Sequence, residues 1–209
     1  RGVQVELALS RLKAIRKQQN NHLRIWGISA TIGNLVEAME VLLGNDAANE
    51  KSIVIRSSGK KNMEIHTVLP TSIEVLPWSG HIGLKLLPEI VNIIRSSQTT
   101  LVFTNTRAMA EIWYHHILNY DENLAGLLAM HHGSLSGEVR DWVEENLHAG
   151  TLKAVICTSS LDLGVDFRPV DTVIQIGSPK GVARFTQRAG RSGHQPGAVS
   201  KIYFIPTHA

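Results

Sequence analysis

The densest chemistry in this 209-residue sequence lies near its end, in Gln187-Arg188-Ala189-Gly190-Arg191-Ser192-Gly193-His194. Arg188 and Arg191 stand three residues apart, on one side of a helix or helix end, with glycine allowing close approach. A guanidinium keeps its charge and offers a planar fork. It therefore suits the charge that builds on a phosphoryl group in transfer, where an arginine finger contributes about a thousandfold to a hundred-thousandfold in rate. A pair of surface arginines has the same spacing, and spacing alone does not choose between the two. A second set is spread through the chain: Thr104-Asn105-Thr106-Arg107 after Phe103, His131-His132-Gly133-Ser134 after Met130, and Thr158-Ser159-Ser160 after Cys157. Hydroxyls, amides and free backbone N–H groups at helix starts bind oxyanions, and the phosphates of a nucleic-acid backbone in particular. Each stretch alone reads first as a helix cap; three in one row of loops shift the balance toward a groove.

The elements that must position these residues follow from periodicity. Val3, Leu7, Leu9, Leu12 and Ile15 predict an amphipathic helix over 3–17. Leu23–Ile28 reads as a short strand stopped by Ser29-Ala30-Thr31-Ile32-Gly33-Asn34. Asn34 then caps a helix over 35–43 that Gly44 ends. Segments 52–56 and 64–69 are strand-like. The polar, aperiodic Ser57-Ser58-Gly59-Lys60-Lys61-Asn62 between them is the best linker, with Pro77-Trp78-Ser79-Gly80-His81 as a rival boundary. Beyond it helix and strand alternate: helix 85–95, strand 99–103, helix 108–118, strand 127–131, helix 137–147, strands 154–157 and 172–176, helix 182–189, strand 199–205. Near-continuous apolar strands in such an alternation predict an α/β fold, a mostly parallel sheet with helices on both faces. In that architecture ligands sit beyond the carboxyl ends of the strands, where the three hydroxyl-rich stretches fall.

Composition excludes several classes. With 43% hydrophobic and 19% charged residues the chain can bury a core, and no apolar run reaches the length of a membrane span. The start has no signal-peptide pattern, and the single Cys157 can form neither an internal disulfide nor a thiolate zinc cage, which favours a reducing compartment. The net charge of +3 is uneven, with basic clusters in 1–24 and 172–209 flanking an acidic middle. Basic ends suit a polyanionic partner or an ordinary solvated face. Ten histidines invite a metal site. Adjacent His131 and His132 on a strand point to opposite faces, however, and His115 and His116 diverge on a helix, so no metal is predicted. Trp26, Trp113 and Trp142 fall in apolar patterns as core or interface residues; Trp78 packs under a loop or stacks on a base. No Gly-x-Gly-x-x-Gly turn supports a dinucleotide enzyme.

Four segments, Ser29-Ala30-Thr31, 99–107, Thr158–Asp166 and Gln187–His194, resemble motifs III, IV, V and VI of superfamily-two helicases, in that order. Trp26-Gly27-Ile28, His131-His132-Gly133-Ser134-Leu135-Ser136 and Gly177-Ser178-Pro179-Lys180-Gly181-Val182-Ala183 resemble the Lhr group, in particular its bacterial ligase-associated DEXH-box branch. The resemblance implies a RecA-like fold and an ATP-dependent DNA helicase or translocase of the cytoplasm, acting in DNA repair. It implies ATP and Mg2+ as cofactors, single-stranded or partly duplex DNA as partner, and repair ligase or nuclease partners. Arg191 would be the finger, with Arg188 and Gln187 supporting the phosphates. Gly164 and Asp166 would meet the nucleotide, and Ser29 and Thr31 would couple ATP state to strand binding. Thr104, Asn105, Arg107, His132, Ser134, Thr158 and Ser159 would line the DNA track. Where many relatives carry a further arginine this chain has His194, which leaves Arg191 as the finger.

ATP hydrolysis in that family needs a glycine-rich phosphate loop and an acidic pair. Ser58-Gly59-Lys60-Lys61 is not that loop, since Val54 stands at its first glycine and Lys61 at its hydroxyl. The expectation is a fragment: the end of a first RecA-like domain (1–57), a linker (58–61) and a complete second one (62–209), with no ATPase activity of its own. The competing expectation is a non-catalytic module holding nucleic acid or a partner.

Overall fold

The computed structural model describes residues 2–21, 23–29, 32–44, 52–56, 62–69, 83–162, 170–193 and 199–207. The chain divides into two compact units, Arg1–Gly59 and Lys60–Ala209. None of the described helices is long and apolar enough to cross a membrane.

In the first unit, α1 (Gly2–Gln18) and α2 (Leu35–Leu43) form where periodicity places them. Asn34 accepts from the Glu37 N–H at 3.2 Å while its amide donates to the Glu37 carboxylate, a reciprocal cap that fixes the start of α2. Lys13 Nζ donates to the Leu43 carbonyl and so ties α1 to the end of α2. A Cβ at Gly27 would stand 2.6 Å from Leu42 Cδ2, so the glycine lets the 23–29 segment lie close against α2. The strands expected at 23–28 and 52–56 are absent: neither segment pairs in a ladder among the described residues. Trp26, Ile28 and Ile55 are 83%, 95% and 92% exposed: a strand needs a pairing partner, and an apolar run supplies only its side chains.

The second unit is built on six parallel strands: β1 (Met63–Thr67), β2 (Thr100–Phe103), β3 (Leu128–His131), β4 (Ala154–Cys157), β5 (Thr172–Ile176) and β6 (Ser200–Ile205). Their order across the sheet is β1-β6-β5-β2-β4-β3. β2, β4 and β5 are buried at every residue, as strands covered on both faces must be. One face packs on α3 (Leu87–Ser96) and α4 (Arg107–Tyr120), with Val102, Ile156 and Ile174 meeting Ile90, Ile94 and Trp113. The other packs under α5 (Gly137–Ala149) and α6 (Val182–Ala189), with Leu101, Phe103, Val155, Cys157 and Val173 meeting Val143, Leu147 and Ala189. The Cys157 thiol is fully buried, and burial pushes its pKa well above the ordinary range. Trp113 is core, whereas Trp142 and Trp26 are exposed; Trp78 lies outside the described residues.

Side-chain caps set the helix starts on this unit. Thr106 accepts from Met109 N at α4 and Ser136 from Val139 N at α5, and Gly150 in the left-handed region closes α5. Helix α3 begins later than periodicity suggests, after a 3-10 turn over Leu84–Leu86, because Pro88 fits only its first turn.

Arg95 at the end of α3 donates to Asp121 beyond α4 at 2.6 Å, and this bond holds the buried carboxyl down at about 2 against the opposing pull of burial. A carboxyl depressed from its unfolded value of about 3.9 stabilises the fold above that pH, and the contribution disappears as pH falls toward 2. Arg95→Ala should therefore move the acid-unfolding midpoint, followed by circular dichroism, to higher pH, with the full loss of stability present at neutral pH and the difference from wild type shrinking as pH falls toward 2.

Candidate functional site

The sheet register aligns Phe103, Cys157 and His131 across β2, β4 and β3. The segments 104–107, 158–162 and 132–136 consequently leave the sheet side by side, at its carboxyl edge. Strand β5 adds a fourth exit, and Asn105 Nδ2 donates to the Ser178 carbonyl at 2.8 Å to tie it to the first. The three hydroxyl-rich loops thus leave the sheet along one edge.

Within this row the side chains divide by exposure. Asn105, Arg107, Ser134 and Ser159 are exposed, and Thr158 is half-buried. The Thr104 hydroxyl faces inward, bonded to the Thr106 and Cys157 carbonyls, so it pins its loop and presents nothing to a ligand. Arg107, Ser134 and His132 meet in an open cleft of about 570 Å³ between α4 and the loop after β3. There Arg107 Nη1 donates to Ser134 Oγ at 3.1 Å, and Glu111 lies 3.6 Å from Arg107 Nε and 3.9 Å from His132 Nε2. His132 is buried, yet among the described residues neither of its ring nitrogens has a hydrogen-bond partner.

His131 turns to the opposite face of the sheet. Its Nδ1 lies 2.7 Å from Ser160 Oγ and its Nε2 lies 3.0 Å from Glu144 Oε1 on α5. Burial pushes its pKa down, with Glu144 pulling the other way.

The arginine pair is held by one residue of the row. Arg188, on α6, is 1% exposed. Its Nε and Nη2 fork onto the Asp162 carboxylate at 2.7 and 3.3 Å, and Nη1 donates to Gln175 Oε1 at 2.7 Å. The guanidinium lies over the Phe103 ring at 4.6 Å. Arg191 is half-buried one turn on, and its Nη2 donates to the Asp162 carbonyl at 2.6 Å. Burial lowers its pKa, which leaves a guanidinium charged at neutral pH. Gly193 has φ +62, donates to the Val170 carbonyl, and leaves room for the Val199 carbonyl that a Cβ would meet at 2.7 Å.

The sequence profile of the helicase conserved C-terminal domain family matches residues 83–195, more than half of the chain. The chain belongs to that family. Its sequence is 39% identical over 208 residues to the ATP-dependent helicase Lhr-Core of Methanocaldococcus jannaschii, a match taking in 99% of this chain and 23% of that protein. Lhr-Core protein 2 of Thermococcus barophilus is 36% identical, over 96% of this chain and 23% of its own length. The solved structure of the Mycobacterium smegmatis helicase Lhr, bound to ssDNA and AMP-PNP, covers 87% of this chain and 24% of its own, with a TM-score of 0.76 and 32% identity. These relatives put the chain in the Lhr group of superfamily two, and its sheet is the RecA-like sheet of that group. It spans less than a quarter of the length of each.

On this helicase C-terminal domain the other sequence-predicted residues fall as follows. Gln187 is half-buried on α6, and Ser29, in the first unit, is exposed. Thr31, Gly164, Asp166 and His194 lie outside the described residues. Sequence reasoning missed Asp162, Gln175, Glu111 and Glu144. Glu111 had a signal, its i,i+4 spacing from Arg107. The others act across the fold, at separations that no local pattern marks. Among the described residues no three His, Cys, Asp or Glu side chains converge as metal ligands, so no magnesium site is assigned here.

Removing one partner of a buried ion pair strands the other charge, at a cost of about 3–5 kcal/mol. Arg188→Met in this helicase domain should therefore lower unfolding stability by about that amount in urea titration, and the Arg188→Met, Asp162→Leu double variant should recover part of it.

Proposed function

We propose that the chain is the second RecA-like half, 62–209, with the closing stretch of the first, 1–57, of an ATP-dependent DNA helicase or translocase of the Lhr group. A single segment carries this proposal. Thr158–Asp162 presents Ser159 to the row of loops at one end and at the other holds Arg188 by the Asp162 carboxylate and Arg191 by the Asp162 carbonyl. Strand-facing Ser159 and arginine-holding Asp162 are thus three residues apart, at the start and just beyond the end of one 3-10 turn. Support also comes from the Mycobacterium smegmatis relative, whose structure holds ssDNA and AMP-PNP.

Arg191 acts as the finger toward an ATP held by the neighbouring RecA-like half, offering its planar charge to the γ-phosphoryl oxygens as charge builds there. Arg188 is the strut that fixes α6 and hence the finger's origin; its donors are spent on Asp162 and Gln175. Gln187, Gly164 and Asp166 are assigned to nucleotide binding, and Ser29 and Thr31 to coupling it with the strand. Asn105, Arg107, His132, Ser134, Thr158 and Ser159 grip the DNA backbone, with Thr104 holding its loop in place. The exposed apolar residues of the first unit, Trp26, Ile28 and Ile55 among them, are covered by the remainder of the first RecA-like domain. DNA repair, the ligase-associated branch and its ligase or nuclease partners, and a cytoplasmic setting follow from the motif resemblance.

In the full-length protein, Arg191→Ala should cut DNA-dependent ATP turnover by about a thousandfold or more while ATP affinity changes only a few-fold. Unchanged turnover would remove the finger assignment. The 209-residue chain alone should show no ATPase activity, and turnover in a pure sample would mean that the catalytic groups lie elsewhere.

A further inference from the structure

The two histidines that end β3 separate two jobs. His132 faces the cleft with Arg107 and Ser134, on the α4 side of the sheet. His131 faces the α5 side and is 2% exposed, and both of its ring nitrogens are engaged. Glu144 is a carboxylate on a partly exposed helix position and accepts only, so the neutral imidazole carries its proton on Nε2 and Nδ1 becomes an acceptor. The Ser160 hydroxyl then lies within reach of two acceptors on one residue, His131 Nδ1 at 2.7 Å and the His131 carbonyl at 2.8 Å. Whichever it serves, Ser160 is fastened to the end of β3.

Ser160 is the middle of the single 3-10 turn Ser159–Leu161. Ser159, immediately before it, is exposed in the row of loops, and Asp162, immediately after the turn, holds both arginines. A one-turn 3-10 helix has little hydrogen bonding of its own. Its backbone is closed here by Asp162 N–H to the Ser159 carbonyl and by Thr158 N–H to the His131 carbonyl. His131 is therefore tied to this segment at two residues, by the Thr158 N–H on its carbonyl and by the Ser160 hydroxyl on either its carbonyl or its ring, while its neighbour His132 lies in the cleft.

We propose that His131 is a positioning residue: with Glu144 behind it, it locks the Ser159–Leu161 turn so that a strand seated on the row, at His132 and Ser159, sets the position of Asp162 and through it of Arg191. This rests on the function proposed above. It goes beyond it by naming the physical link between strand site and finger, which passes through a histidine that touches neither ligand. A link of this kind is a claim of energetic coupling, and coupling is measured, not read from contacts.

The test uses the full-length protein with single-stranded DNA, comparing wild type with Ser160→Ala, His131→Gln and His131→Asn. Asparagine places an amide near the position of Nδ1 and keeps the bond to Ser160; glutamine reaches toward Glu144 and loses it. Ser160→Ala and His131→Gln should lower the DNA-stimulated kcat about tenfold or more, the scale of a displaced catalytic group, with the Kd for DNA shifted less than about threefold. His131→Asn should recover most of the loss. A role confined to folding would weaken DNA binding together with kcat and would give no selective rescue by asparagine. Equal kcat in Ser160→Ala and wild type overturns the proposal, as does loss of DNA affinity in step with kcat. If His131→Gln fails to fold, Ser160→Ala, which deletes one half-buried hydroxyl, decides alone. If wild type itself shows no DNA-stimulated turnover, the function proposed above fails and this inference goes with it; if only the variants behave like wild type, the inference alone fails.

Discussion

One buried ion pair organises the carboxyl edge of this domain. Taking the Arg188 guanidinium and the Asp162 carboxylate out of water costs several kcal/mol each, and only good geometry offsets it. The fork onto two carboxylate oxygens, the third bond to Gln175 and the Phe103 ring beneath supply that geometry. An apolar pair of similar volume would pack as well, yet it would not say where the 158–162 segment must stand relative to α6. The charged pair does, because its fork has one satisfactory orientation. Arg191 inherits that order through the Asp162 carbonyl. The position of Arg191 is thus set by a loop that lies 29 residues away in sequence.

The parallel sheet supplies the second constraint. All five pairings are parallel, so every strand delivers its carboxyl end to one edge, and register fixes which residues become neighbours there. Residues separated by 26 to 54 positions in sequence stand side by side without any contact of their own having to hold them. The side chains in the row need only modest local bonds, such as Asn105 to Ser178 and Arg107 to Ser134, to finish the arrangement.

Much of this was legible in the sequence, and the parts that were not share a cause. Strands 154–157 and 172–176 and helices 35–43 and 182–189 stand where periodicity and caps place them. Those signals are local, within a turn or a strand. The same signals over 23–28 and 52–56 yield no strand, because ladder pairing is made with another segment and leaves no mark on the sequence of either. The site repeats the lesson. The spacing of Arg188 and Arg191 was visible, but that one guanidinium is spent inside and the other stands half-exposed depends on how α6 rests on β5. Thr104 looked like a ligand-facing hydroxyl for the same reason: a threonine after a strand end reads alike whether it points out or back.

The sole cysteine sits where opening of this architecture would be felt. Cys157 closes β4, between the residues that end β2 and β3, beneath the face that carries α6. Burial keeps its sulfur protonated and inert. A small alkylating reagent can therefore consume it only in molecules whose centre has momentarily come apart. The domain carries its own chemical stopwatch for such excursions, with no label to add and no second thiol among its 209 residues to blur the count.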